Sequence, residues 1–482
     1  MQFDAIVVGS GPNGLAAAVT LARAGLSVQL IEGSRTLGGA ARSSEMTLPG
    51  FLHDECSAIH PQVLSSPFFK AFDIRRRVPF VVPDMSYAHP LDDGPAGLAF
   101  RDVNRTAESL GRDGPAWRKL FAPLVPHIDG VIDFAFSQLM RLPRDPASAL
   151  RFGLRVLEQG SPAWNARFSG PVAPALLAGV NAHSVGRMPS LSTAGAGMVL
   201  ALQAHAAGWP VPVGGSQAIM DALVDDFVAH GGEIVTGHMV KSLQELPPAR
   251  AVLLDVSARS LARIGADHFP SNYLRALESL KYGGAVSKVD YALSGPVPWA
   301  DENVGRTPTV HLGGSRADIA RSEAQVASGV HPDNPFVLVA QPSLFDSSRA
   351  PAGQHTLWAY SHVPNGSDVD VSGAIEGQIE RFAPGFKDLI IGKAYRSAKE
   401  LGDYNPNCVG GDFSAGAVTL PQLIRRPVLG PTPWATPLPN VFLASSSTPP
   451  GPSVHGLAGF YAARLALRRR FNAGVPDLSP HG

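Results

Sequence analysis

The stretch Asp4–Ser34, DAIVVGSGPNGLAAAVTLARAGLSVQLIEGS, constrains this chain more than any other. Ala5–Val8 is a short apolar run of the kind a buried parallel strand needs. Gly9, Gly11 and Gly14 follow as GxGxxG, with Pro12 and Asn13 inside the motif. Helix formers run from Leu15 to Ala24, and Gly25 stands where a helix C-cap belongs. Ser27–Ile31 reads as the second strand, and Glu32 ends it, 18 residues beyond Gly14. In such a βαβ unit Gly9 makes the tight turn, Gly11 lets a pyrophosphate approach the backbone, and Gly14 lets the helix pack on the sheet. The helix start offers free N–H groups and a positive dipole end to phosphate. Glu32 can accept ribose hydroxyls and would repel a 2′-phosphate, which favours FAD or NAD over NADP.

The 482 residues carry 45% hydrophobic and 17% charged side chains, enough for a large core and against disorder. Forty Lys and Arg balance 40 Asp and Glu, which gives no electrostatic case for nucleic acid. The two cysteines, Cys56 and Cys408, are far apart in sequence, so neither a disulfide framework nor a thiol redox pair is expected. A reducing cytoplasm is the default compartment. The N-terminus lacks a signal peptide's basic region, and no apolar run is long enough for a spanning helix. Peripheral membrane contact stays open, although the modest charge content lends it no support.

RTLGGAARS follows Glu32 almost directly, with Gly38, Gly39 and Arg42. PGFLHDECSAIHP spans Pro49–Pro61, and PVPVGGSQAIMDALVDDFVAHGGEIVTGHMVKSL begins at Pro210. In these segments the chain resembles the FAD-dependent amine oxidase and phytoene desaturase superfamily. KYGGAVSKVDYAL, GPVPW, DSSRAPAGQHTLWAYSHVP and NPNCVGGDF extend the likeness to its phytoene dehydrogenase-like branch. The resemblance implies that Gly38 and Gly39 contact FAD and that Arg42 lies near the pyrophosphate or flavin, the alternative being a surface arginine. It implies that Ser57 and Ala58 pass the flavin and that Val240, read as the start of a strand, meets the adenine through its backbone. At Val454, Gly456 and Leu457 it implies a helix start meeting the flavin. Glu55, Cys56 and Ser57 follow Asp54 where the desaturases have Gly-Pro.

The expected fold is α/β: a Rossmann-type, glutathione-reductase-like FAD-binding domain interleaved with an α+β substrate domain. Residues 1–75, 210–290 and 430–482 would assemble the first. Residues 76–209 and 291–429 would form the second, with a helical insertion. Strand signals in Val286–Leu293, Phe336–Gln341 and His355–Tyr360 suggest a sheet lining the substrate cavity.

His455 and His60 are the candidate catalytic side chains, each weighed against a structural role. Asp54 and Glu55 read better as local backbone caps. Trp299, Trp358, Tyr360, Tyr404 and Phe460 are candidates to wall an apolar cavity, or ordinary core aromatics. No metal-ligand spacing and no GxSxG occur, and HLGGS at His311–Ser315 lacks the context of a second dinucleotide site. The expected activity is hydride removal from a small, largely apolar organic substrate, by C–C dehydrogenation. Oxygen or a quinone would take the electrons. Amine or alcohol oxidation, a redox-neutral isomerase and a non-catalytic FAD-stabilised interaction protein are the alternatives. Oligomeric state is not legible.

Overall fold

A computed structural model of the chain describes residues 3–480. Two sheets organise it. The first is five-stranded and wholly parallel, in the order Val441–Leu443, Ala249–Leu254, Phe3–Val8, Val28–Ile31, Glu233–Val235. Four of its strands are short apolar runs with buried centres, as crossover helices demand, while the edge strand Glu233–Val235 is largely exposed. Helix Pro12–Arg23 covers one face, with helices Gln217–Ala229 and Leu457–Ala466 packed against it.

The second sheet has seven strands: Ile390–Arg396, Ala285–Leu293, His355–Val363, Val337–Ala340, Thr309–Leu312, Met85–His89 and Gly97–Phe100. All neighbours pair antiparallel except Thr309–Leu312 with Met85–His89. Alternation divides its faces. Val289, Tyr291, Val310, Val339 and Ala359 pack against Ile375 and Ile379 of helix Ser372–Phe382. On the other face, register aligns Lys288, Tyr360, Leu338 and His311 in one row. Helices from residues 128–206, including Pro146–Gln159 and Leu191–Ala206, stand over that face and leave a cavity.

The strand reading at Val286 is met by Ala285–Leu293, but this strand belongs wholly to the second sheet. It pairs with His355–Val363 along all nine residues. Val240 lies in a loop after Glu233–Val235 and starts no strand.

Candidate active site

The first strand ends at Val8 and turns through Gly9 into the proline-started helix Pro12–Arg23. At Gly14 a Cβ would stand 2.0 Å from the Gly9 carbonyl oxygen, so only glycine permits this approach of helix to turn. Glu32, at the end of the second strand, accepts from the Ser10 N–H (2.8 Å), the Ser10 hydroxyl (2.6 Å) and the Ser34 N–H (2.7 Å). The Ser10 hydroxyl in turn accepts from the Gly38 N–H at 3.1 Å. Turn, acid and Gly38-Gly39 loop therefore form one concave backbone surface. Arg42 is buried. It donates to the Gly39 carbonyl (2.7 Å) and Thr36 (3.0 Å) and lies over the Tyr404 ring, which excludes the surface reading. Val240 is buried beside Val8 and Ile31, and its backbone makes no hydrogen bond among the described residues.

Asp255 follows the strand Ala249–Leu254 and points into this cradle, a feature that a lone Asp in sequence does not announce. Its Oδ2 accepts the Gly14 N–H at 2.9 Å. Burial pushes its carboxyl up to about 7. The Glu32 charge adds to the rise and the Gly14 N–H opposes it.

The C-terminal segment Ser445–Leu457 closes the opposite side. Arg426, fully buried, donates to the Ser446 carbonyl (2.9 Å) and to the Ser414 carbonyl. Trp434 Nε1 donates to the Pro449 carbonyl at 3.0 Å. Ser66 holds the His455 carbonyl at 2.6 Å. Gly456 takes φ +68° and starts the helix Leu457–Ala466. His455 Nδ1 accepts the Leu457 N–H at 3.0 Å, capping that helix. Burial depresses its imidazole to about 4, with the Gly451 carbonyl pulling slightly the other way. The neutral ring then carries its proton on Nε2, which is buried and makes no hydrogen bond of ordinary geometry.

One cavity of about 700 Å³ joins these parts. It touches Pro12 and Asn13 at the turn, Ala40 and Ala41 beyond the glycine pair, Ser57 and Ala58, and Val454 and His455. Its floor is the second sheet: Val286, Lys288, Thr309, Leu338, Ala340, Trp358 and Tyr360. Across the row from Lys288 to His311 lie three strand spacings, about 14 Å. At the far end His183 lines the cavity and shares a 2.8 Å Nε2–Nε2 hydrogen bond with His311.

Lys288 carries the only charge on the wall among the described residues. It is buried, donating to Asp290 (2.5 Å) and to the Asp54 carbonyl (2.8 Å). Burial raises the Asp290 carboxyl to about 6, against the pull of Lys288. Asp54 is more than a local cap. It accepts Ser43 Oγ (2.6 Å) and the Ser216 N–H (2.8 Å), and pairs with Arg349 (3.0 Å). Burial pushes the Asp54 carboxyl up, but Arg349, Ser43 and Ser216 outweigh it and hold the group low. Glu55 likewise ties Ser44 to Arg396.

His60 lies outside the cavity wall. Its Nε2 meets Ser216 Oγ at 2.7 Å, and that hydroxyl donates to the Ser57 carbonyl, so the ring braces a loop against a helix start. Of the five aromatics, Trp358 and Tyr360 line the cavity. Trp299 binds Gln341 under the sheet's other face, Phe460 packs tilted against Phe68, and Tyr404 lies under Arg42 and Arg396. Cys56 and Cys408, remote in sequence, both reach the cavity wall as free thiols that burial pushes up.

Residues 7–73 match the family model of the NAD(P)-binding Rossmann-like domain. The chain is 24% identical to the rat pyridine nucleotide-disulfide oxidoreductase domain-containing protein 2, over 97% of this chain and 94% of that one. It is 31% identical to the 4,4′-diapolycopen-4-al dehydrogenase of Metabacillus indicus over 25% of each. A solved putrescine oxidase triple mutant superposes with a TM-score of 0.60 at 15% identity, covering 98% of both chains. These likenesses give the chain an N-terminal Rossmann-like domain and a fold shared with the putrescine oxidase, and the curated proteins it is similar to are named as an oxidoreductase domain protein and a dehydrogenase.

Proposed function

We propose that this protein binds FAD and removes hydride from a small, largely apolar organic substrate by C–C dehydrogenation. The observation that carries the reading is the cavity itself: its wall is apolar, holds no Asp or Glu among the described residues, and presents Lys288. A protonated amine would find no free counter-charge there, since the neighbouring carboxylate, Asp290, is already paired with Lys288. A hydrocarbon-rich substrate needs no counter-charge and is favoured by transfer out of water.

The cradle's chemistry suits the cofactor. The helix start at Pro12, the Gly38-Gly39 loop and Glu32 offer groups fitting pyrophosphate and ribose, and His455 Nε2–H is an orphaned buried donor. When bound, the flavin supplies a ring that accepts hydride. The protein's own work is positional. Trp358 and Tyr360 set the substrate's plane, and the packed wall keeps water out. His455 presents an unpaired Nε2–H at the cavity wall and stays neutral at physiological pH; with Nδ1 engaged and Nε2 protonated, it is no general base.

Denaturing the purified protein should release a chromophore with a flavin absorption spectrum. A colourless extract from protein that FAD cannot reconstitute would sink the reading. Under anaerobic conditions, isoprenoid or other apolar substrates should bleach the flavin, and cationic amines should not. Bleaching by amines alone would move the assignment to amine oxidation. An unchanged product mass would select the isomerase. Reoxidation by oxygen against a soluble quinone then identifies the acceptor.

A further inference from the structure

Polar groups without partners gather at the end of the cavity away from Lys288. His183 and Thr309 line the wall there, and Trp209 lies edge-on to the His183 ring at 5.6 Å. Thr309 is 2% exposed, and its hydroxyl makes no hydrogen bond. Tyr87, opposite it on the neighbouring strand, is fully buried with an equally unpaired hydroxyl. Buried hydroxyls are as a rule hydrogen-bonded, so two orphans side by side, one of them on the wall, leave bonding capacity for a ligand.

His183 adds a donor. Its Nε2 shares a 2.8 Å hydrogen bond with that of His311. The His311 ring fills the gap that Gly179 leaves in helix Val172–Asn181, where a Cβ would stand 2.9 Å from His311 Nδ1. That nitrogen is turned against the helix, buried and unpaired. Burial keeps both imidazoles neutral: it depresses His183 to about 3, with His362 adding to the fall, and His311 well below its ordinary value. One ring therefore donates and the other accepts. Were His183 the donor, His311 would carry its proton on the sealed Nδ1. A buried N–H without a partner is rarer than an under-used acceptor, so His311 donates and His183 carries its proton on Nδ1. That Nδ1 makes no hydrogen bond among the described residues and, unlike the one on His311, is not sealed off by protein. An N–H from His183 and a hydroxyl from Thr309 suit an oxygen atom. Lys288 is three strand spacings away, about 14 Å, so an ionised group would be buried at this end without a counter-charge.

We propose that this end of the cavity binds an uncharged oxygen, a carbonyl or a hydroxyl, so that the substrate is an apolar molecule with one oxygenated end. The inference rests on the reading of the cavity as the substrate site. Headspace gas chromatography over the full-length, flavin-loaded protein measures binding of octane, octan-2-one and octan-1-ol, and equilibrium dialysis measures octanoate. Both oxygenated neutral probes should bind more tightly than octanoate. Thr309→Val and His183→Phe should each weaken them by about 5- to 10-fold, the loss of one hydrogen bond, and leave octane unchanged. A merely structural role for either side chain would shift all the probes together. Replacing His183 strands the His311 N–H, so flavin absorbance and melting temperature verify folding. Should that variant fail there, Thr309→Val, which deletes a hydroxyl without a partner, carries the test. Octane bound by wild type, with oxygenated probes undiminished in a folded variant, would overturn the proposal and leave the cavity reading standing. Octanoate bound as tightly as octan-2-one would overturn the uncharged character of the site. Binding of none of the probes would remove the cavity as an apolar site, and the proposal with it.

Discussion

Asp255 is an acid placed where an anionic cofactor is expected, and burial reconciles the two. Its folded carboxyl sits at about 7 against an ordinary 3.8, so between these values the folded chain holds a proton that the unfolded chain has lost. Stability of the cofactor-free protein should therefore fall as pH rises through that window, by at most about 1.4 kcal/mol per pH unit from this group. Asp255→Asn retains an acceptor for the Gly14 N–H and removes the titration. Its stability relative to wild type should rise from pH 4 to 7, as read by urea midpoints; parallel pH curves would contradict the assignment. His455 supplies the complementary case. Its imidazole is already neutral well below physiological pH, so His455→Ala should keep the shape of the kcat–pH profile between about 5.5 and 8. Loss of an inflection in that range would restore a titrating role.

The elements are held together by buried polar ties between the loop before His355, the strand Leu52–Asp54 and the start of helix Gln217–Ala229. Arg349 joins Asp346 to Asp54, Asp54 caps the backbone at Ser216, and Asp346 caps it at Gly214. Removing the cation strands two buried carboxylates, so Arg349→Met should cost about 3–5 kcal/mol in chemical denaturation. A loss under 1 kcal/mol would mean that water reaches the pair. None of these ties was legible in the sequence, where the DSSR of Asp346–Arg349 enters only as part of a segment carrying the likeness. The first βαβ unit was legible because its signals are local: strand, glycines, helix and acid lie within some thirty residues. Three of the second sheet's seven strands were legible by alternation, but the other four and the pairing were not, since Met85–His89 pairs with a strand more than two hundred residues away. Lys288 and the Cys56–Cys408 approach were missed for the same reason: burial and nearness are set by tertiary packing.

At the scale of the molecule, the cavity borrows from both sheets. The parallel sheet supplies turn, acid and final helix start; the mixed sheet supplies the floor. A dinucleotide bound across this junction stabilises the whole assembly, because it binds the folded arrangement and not the unfolded chain. At a thousandfold excess over its Kd the linkage is about 4 kcal/mol. The unfolding entropy of a chain this long is roughly 1 kcal/mol/K, which converts the linkage into a rise of about 4 °C. Stripping the flavin should lower Tm by this order, and added FAD should restore it with a logarithmic dependence on concentration. NADP should restore little, because Glu32 stands at the end of the second strand, where a 2′-phosphate would be repelled. Recovery with NADP and not with FAD would mean that the cradle holds a different dinucleotide, and would remove the flavin from the reading of the cavity floor.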